Sequence, residues 1–223
     1  MSELLHELLL RSAHRVPRRE ALAYQGVRLD YATLAARVRD CAAGLLGLDL
    51  GRSERVAVYL EKRLETVTAI FGAAAAGGVF VPINPLLKPE QVAYILADCN
   101  VRILVTSSER LALLAASLHA CPDLHTIVVL GDKGKPAGGL RVAGWDEAFG
   151  GGAAFKPHRV IDTDMTAILY PPVEFASIVL PGGQWTTLPA AKYRYGQEYS
   201  VWDGNTSRLE RRSPPEEAQD GTA

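Results

Sequence analysis

Few residues in this 223-residue chain stand at the spacings that catalysis or metal binding requires. His6 and His14 lie eight residues apart on one amphipathic stretch, without the cluster of carboxylates or thiols that a metal site needs. His119 and His125 flank Cys121, a pattern that superficially indicates zinc, but a loop over the sheet edge is the better interpretation. We therefore predict no metal site and no catalytic residue among these groups.

Two glycine-containing segments invite comparison with phosphate-binding loops. Residues 131–136 follow a predicted strand, but they fail the G-x-x-x-x-G-K-[ST] spacing, and Pro136 stands where a Ser or Thr would coordinate magnesium. Gly77 and Gly78 precede a strand and do not open a helix, so the dinucleotide fingerprint fails as well. A surface turn and close packing at a helix end are the better interpretations, and we predict no cofactor-binding residue.

Polar and thiol side chains elsewhere also have simpler interpretations than catalysis. Ser107 and Ser108 follow a strand but no G-x-S-x-G elbow surrounds them, so helix capping is the expected role. The three cysteines, Cys41, Cys99 and Cys121, are widely spaced. That spacing favours buried free thiols in a reducing cytosol over a disulfide framework.

Composition limits the partners and the compartment. The formal net charge of −1 gives no reason to expect nucleic acid or an anionic membrane as a partner. No apolar stretch approaches the roughly 20 residues that cross a bilayer, so we predict no membrane span. The first residues carry acids where a secretion signal carries Lys or Arg. These features predict a cytoplasmic, soluble protein.

The elements that would position a site change character after Gly51. Before it, residues 21–29 predict a tight hairpin with Gly26 at positive φ, and Asp30 is the expected N-cap of the next helix. After it, apolar strands alternate with helices, which predicts an α/β fold with a mostly parallel sheet and helices on both faces. The predicted strands are 56–60, 79–83, 102–106 and 126–130, and the predicted helices are 64–76, 89–98 and 109–118.

The sequence divides after Tyr170. Residues 1–170 form the predicted α/β domain, and 168–170 begin another buried strand. Residues 171–223 read as an unrelated tail whose only strand-like stretch is 176–180. From Ser207 onward the chain is charged and rich in proline, which predicts a poorly ordered, irregular end.

Five segments, in order, resemble the opening of an AMP-forming acyl-CoA ligase of the adenylate-forming superfamily. Within that superfamily the chain most resembles the branch associated with exosortase systems. The last segment resembles the strand that leads, in that family, directly into a Gly/Ser/Thr-rich phosphate-binding loop. The segments are residues 29–34, 51–60, 73–85, 90–99 and 164–170.

The resemblance implies ATP-dependent activation of a carboxylic acid to an acyl-adenylate and then to a CoA thioester, with ATP, Mg²⁺ and CoA as the full-length family's cofactors. The phosphate-binding loop is absent after Tyr170, where Pro171 and Pro172 follow. None of the family's main catalytic residues therefore transfers to this chain, no cofactor is assigned to it, and we predict that the chain alone is inactive. The abrupt change predicts a frameshift or gene-model error at Tyr170.

Two other functions stay open at this point. One is a non-catalytic module that binds a protein partner. The partner would cover the exposed sheet edge at 168–170, because an uncovered edge invites aggregation. A small-ligand site could instead lie after Leu60, Ile83 and Thr106, at the strand ends where doubly wound sheets place ligands. No charged constellation is apparent there in the sequence, so we rank that possibility last.

Overall fold

The structure of the protein is a computed structural model. It describes residues 4–133, 139–151 and 155–170, together with the backbone of four short strands between residues 177 and 212. The chain divides into two compact units, Met1–Tyr170 and Pro171–Ala223.

The first unit begins with a helix, a hairpin and a long helix. These are α1 (Leu5–Arg15), β1 (Glu20–Tyr24), β2 (Val27–Asp30) and α2 (Tyr31–Gly47). The hairpin turn has φ of 47° at Gln25 and 82° at Gly26, which confirms the predicted positive φ of Gly26. The Asp30 carboxylate accepts a hydrogen bond of 2.8 Å from the Thr33 N–H, so the predicted N-cap of α2 is also confirmed.

Alternating strands and helices follow. They are β3 (Arg55–Tyr59), α3 (Leu64–Ala76), β4 (Val79–Pro82), α4 (Pro89–Asp98), β5 (Val101–Ser107), α5 (Ser108–Leu114), β6 (Thr126–Leu130), β7 (Arg141–Gly144) and α6 (Trp145–Phe149). The predicted bounds of α3 and α4 are confirmed. The predicted helix 109–118 ends at Leu114, and a short 3-10 helix, Leu118–Ala120, buries Leu118 beyond it.

Strands β3 to β7 form one parallel sheet in the order β4-β3-β5-β6-β7. Because side chains alternate along a strand, Val56 and Val58 join the core beneath α1, α2, α3 and α6, whereas Ala57 and Tyr59 join the core beneath α4 and α5. The sheet is covered on both faces, as the strand–helix alternation predicted.

Close helix packing on the first face depends on residues without a bulky side chain. A Cβ atom at Gly72 of α3 would lie 2.6 Å from the Cys41 Sγ of α2, and one at Gly44 of α2 would lie 2.0 Å from the Ala148 carbonyl oxygen of α6. Gly77 ends α3 in the left-handed conformation with φ of 87°, which confirms its predicted role at a helix end. All three cysteines are buried free thiols, as predicted.

The second unit contains two antiparallel strand pairs in its described backbone. They are β8 (Ser177–Val179) with β9 (Trp185–Thr187), and β10 (Tyr199–Asp203) with β11 (Arg208–Arg212). The sequence predicted only the first of these strands, although the β-branched and aromatic residues of β9 and β10 favour strands. The remaining residues of 171–223 lie outside the described part of the chain, so a poorly ordered tail stays a prediction.

Candidate functional site

The carboxyl ends of β3 and β5 mark the switch point of the sheet. The two strands are neighbours, yet α3 leaves β3 towards one face and α5 leaves β5 towards the other. In doubly wound sheets this divergence opens the crevice in which ligands bind. The residues that follow the two strands are therefore the first place to look for a site.

An arginine spans this switch point. The side chain of Arg110, on α5, donates from Nε and Nη2 to the Glu61 carboxylate and from Nη1 to the Pro85 carbonyl oxygen at 2.7 Å. Its guanidinium carbon lies 4.7 Å from the centroid of the Tyr59 ring. We call Arg110, Glu61, Tyr59 and Pro85 the Arg110 clamp. It connects the exits of β3, β4 and β5.

The clamp corrects the expectation that no charged constellation lies after Leu60, Ile83 and Thr106. Hydrogen bonding from Arg110 holds the pKa of the Glu61 carboxyl below its ordinary value. A second pair, Arg63 with Glu65 at 2.7 Å, lies at the start of α3. The sequence missed the clamp because Glu61 and Arg110 are 49 residues apart and meet only when β5 pairs with β3.

Residues 155–170, which we call the edge segment, run from the amino end of the sheet along β4. The Phe80 N–H donates to the Thr166 carbonyl oxygen, and the Ile168 N–H donates to the Phe80 carbonyl oxygen, both at 3.0 Å. Ala167 and Ile168 pack into the cores on opposite faces of the sheet, as residues of a strand do. The prediction of a buried strand at 168–170 was wrong: an isolated bridge joins Ala167 to Phe80, Ile168 and Tyr170 are half-buried, and Leu169 is 63% exposed.

Side-chain contacts attach the edge segment at two places. In its middle, Arg52 donates from Nη2 to the two Asp164 carboxylate oxygens at 2.8 and 2.6 Å and from Nε to the Arg159 carbonyl oxygen at 2.9 Å. At its end, the Tyr170 hydroxyl donates to the Asp98 carboxylate of α4. Burial and that hydrogen bond raise the pKa of the Tyr170 hydroxyl, so it stays protonated and remains a donor.

The groups that resembled metal ligands in sequence do not converge. The exposed His119 places Nδ1 2.7 Å from the Ala116 carbonyl oxygen, His125 Nδ1 lies 2.9 Å from the Thr126 hydroxyl, and Cys121 donates to the Ala93 carbonyl oxygen at 3.5 Å. Across residues 4–133, 139–151 and 155–170, no group of three His, Cys, Asp or Glu side chains is arranged to hold a metal ion.

The other candidate loops also have structural partners. Lys133 forms an ion pair with Glu147 at the start of α6, and residues 134–138 of that loop lie outside the described part. The Ser107 hydroxyl accepts from the Arg110 N–H, which confirms the predicted capping of α5 and helps to place the clamp arginine. None of the helices in the described part of the chain is long and apolar enough to cross a membrane.

Comparison with known proteins decides the family. The profile of the AMP-binding enzyme family matches residues 9–170, which include α2, the whole parallel sheet and the edge segment. The chain belongs to this family. The predicted resemblance to adenylate-forming ligases is thereby confirmed, and placement in the exosortase-associated branch stays a prediction.

Relatives in this family are adenylate-forming synthetases and ligases. The chain is 31% identical to tyrocidine synthase 3 of Brevibacillus parabrevis over 60% of this chain and 2% of that protein. It is also 31% identical to the L-proline--[L-prolyl-carrier protein] ligase of Pseudomonas fluorescens over 57% of this chain and 25% of that protein.

A solved relative gives the same family. It is the anthranilate CoA ligase AuaEII in complex with anthranoyl-AMP, with 29% identity, a TM-score of 0.54, and coverage of 57% of this chain and 25% of that one. The chain thus spans a quarter or less of the length of these three relatives. Nothing in the comparisons supports a non-catalytic partner-binding module.

Proposed function

We propose that residues 1–170 are the N-terminal part of an enzyme that uses ATP to activate a carboxylic acid as an acyl-adenylate and then forms a thioester. The observation that carries the proposal is the family match over residues 9–170, which ends on the edge segment. In the family this segment is followed by the phosphate-binding loop. The sheet and the clamp would then serve as the scaffold from which that loop extends.

The proposed cofactors are ATP and Mg²⁺, with CoA as the proposed acceptor of the acyl group. An anthranilate CoA ligase among the relatives supports CoA, and a carrier-protein ligase supports a second candidate acceptor, the thiol of a carrier protein. ATP and CoA are cytoplasmic metabolites, so the proposal places the reaction in the cytoplasm. The residues described in this chain form no metal cluster, so Mg²⁺ is assigned to no side chain.

The 223-residue chain alone is proposed to be inactive. Catalysis of phosphoryl-type transfer depends on preorganised donors around the phosphates, above all backbone N–H groups of a loop and a lysine. Directly after Tyr170, where the family's Gly/Ser/Thr-rich loop would supply them, the sequence has Pro171 and Pro172. Without such donors, ATP has no defined phosphate site on this polypeptide.

A chimaera tests the proposal. Residues 1–170 would replace the matching segment of the anthranilate CoA ligase, and anthranilate-dependent ATP–pyrophosphate exchange would be measured. We expect exchange from the chimaera and none from the 223-residue chain. A folded but inactive chimaera would count against equivalence of the two segments, and exchange by the 223-residue chain would overturn its proposed inactivity.

The control for the chimaera is the ligase with its matching segment deleted, which should show no exchange. Near-ultraviolet circular dichroism of the chimaera, compared with the intact ligase, distinguishes loss of folding from loss of the proposed function. The acceptor is read separately, by adding CoA or a carrier protein and measuring thioester formation.

A further inference from the structure

The edge segment is held at the amino end of the sheet before it runs along β4. Arg52 lies three residues before β3, at the amino end of the strands, and contacts the segment through Asp164 and the Arg159 carbonyl oxygen. The Arg52 side chain is half exposed, whereas that of Asp164 is only 20% exposed. The two carboxylate contacts and the carbonyl contact together fix the guanidinium plane, because its donors point in set directions.

Asp164 also organises the chain around it. Its carboxylate accepts from the Ile161 N–H at 3.0 Å, and the Asp164 N–H donates to the Ile161 carbonyl oxygen at 3.0 Å, which closes a turn. Two residues later, Thr166 makes the first backbone hydrogen bond to β4. Asp164 therefore closes the turn that immediately precedes the residues facing Phe80.

A second contact holds the turn against α3. His158 lies where Gly77 leaves no side chain, since a Cβ atom at Gly77 would be 2.7 Å from the His158 Cβ. Its N–H donates to the Ala76 carbonyl oxygen at 3.3 Å, and its Nε2 lies 2.8 Å from the Leu50 carbonyl oxygen. This contact holds His158 against α3. The Arg52–Asp164 pair lies two residues before the first backbone bond to β4, and the Tyr170–Asp98 pair lies two residues after the last.

Register matters at this edge because few bonds define it. Two backbone hydrogen bonds, both to Phe80, join the edge segment to β4. A slip of one residue would move each side chain to the other face of the sheet, so the register of these few bonds decides which core each side chain enters. A slip would move Ala167 and Ile168 out of the cores they now fill.

We infer that Arg52 is a positioning residue: through Asp164 it sets the register of residues 166–168 on β4 and hence the place where the chain leaves the sheet at Tyr170. This inference rests on the proposed function for its catalytic meaning, because the phosphate-binding loop of the family follows that exit. Arg52 touches no reacting atom. It acts by limiting where a loop attached at residue 170 begins.

Hydrogen exchange of the full 223-residue chain tests the inference without any activity. In Arg52→Ala the amide of Ile168 should exchange about tenfold faster than in the wild type, whereas the amide of Ile83, which donates to Val58 within the sheet, should change little. Arg102→Ala is the matched control, since Arg102 pairs with Glu54 and Asp123 and contacts no residue of the edge segment. Equal acceleration of both amides in Arg52→Ala, or acceleration of neither, would overturn the inference.

A double-mutant cycle separates the pair from its surroundings. Asp164→Asn retains an oxygen for the Ile161 N–H but loses the charge that Arg52 binds. If Arg52 acts through Asp164, the double variant should exchange at Ile168 no faster than the faster single variant. Additive acceleration would show that Arg52 acts independently of Asp164.

The catalytic meaning has its own readout in the chimaera. Arg52→Ala should raise the KM for ATP while leaving the KM for the acid unchanged, because the segment positions the proposed phosphate loop. An equal change in both KM values would contradict a positioning role. If a folded chimaera has no activity, the result counts against the proposed function, and the hydrogen-exchange experiment still decides the role of Arg52 in the fold.

Discussion

The guanidinium carbon of Arg110 lies 4.7 Å from the centroid of the Tyr59 ring, so a charged group from α5 covers an aromatic ring at the end of β3. Tyr59 is 2% exposed and belongs to the core beneath α4 and α5. A cation over the face of a ring is attracted by the ring quadrupole. Because the same guanidinium also binds Glu61 and Pro85, one side chain closes the switch point of the sheet.

Removal of this side chain should destabilise the protein. In Arg110→Ala the Pro85 carbonyl loses its charged donor and the Tyr59 ring loses its cover, so we expect the free energy of unfolding to fall by about 2 kcal/mol. Arg110→Lys retains the charge but loses the two-pronged set of donors. Its free energy of unfolding should therefore lie between those of the wild type and Arg110→Ala. Urea unfolding followed by circular dichroism measures the three values.

The control for this series is Arg28→Ala. Arg28 also pairs with a glutamate, Glu20, but its side chain is 72% exposed. Exposed pairs contribute about 0–1 kcal/mol, so this variant should lose clearly less stability than Arg110→Ala. An equal loss in the two alanine variants would show that the clamp acts as an ordinary surface ion pair.

Two glycines of α2 provide a matched pair three residues apart. Gly44→Ala places a methyl group 2.0 Å from the Ala148 carbonyl oxygen and 2.5 Å from the Phe149 ring, so overpacking should cost about 1–3 kcal/mol. Gly47→Ala meets nothing within 4 Å and should stabilise the helix by about 0.5 kcal/mol. Opposite shifts of the urea midpoint are expected, and shifts of the same sign would contradict the close α2–α6 contact.

Local patterns in the sequence predicted most helices and strands but not the tertiary contacts between them. The bounds of α4 follow from Pro89 at its first turn and the apolar spacing after it, both of which are local signals. The four-residue strand β7 carries too short a pattern to be distinguished from the loop around it. The Arg110–Glu61 and Arg52–Asp164 contacts depend on strand order and on the path of the edge segment, which no local pattern encodes.

The cysteines should resist labelling in the folded protein. Burial raises the pKa of the Cys41 thiol far above its ordinary value, and it raises the pKa of Cys99 and Cys121 as well. Because the thiolate is the reactive form, we expect negligible alkylation at about pH 8 until denaturant is added. Labelling followed by mass spectrometry identifies each site, and Cys41, fully buried between α2 and α3, should react last. Early modification of Cys41 would contradict this packing.

Acid should weaken the attachment of the edge segment. The hydrogen bond from the Ile161 N–H and the neighbouring Arg52 guanidinium hold the pKa of the Asp164 carboxyl below its ordinary value of 3.8. A carboxyl whose pKa is lower in the folded state stabilises that state fully above the unfolded pKa. The stabilisation is lost as the pH falls through the folded pKa, so the loss occurs below pH 3.8 and the full stabilisation is present near neutrality.

The non-titrating variant Asp164→Asn isolates this effect, because all other carboxyl groups titrate equally in both proteins. The wild type should unfold at a higher urea concentration than Asp164→Asn at about pH 6, and the difference should shrink towards about pH 3. In the Arg52→Ala background, adding Asp164→Asn should lower the urea midpoint at about pH 6 by less than it does in the wild type, because Asp164 there has no cation to bind. A difference that stays constant with pH would mean that the Asp164 charge does not hold the segment.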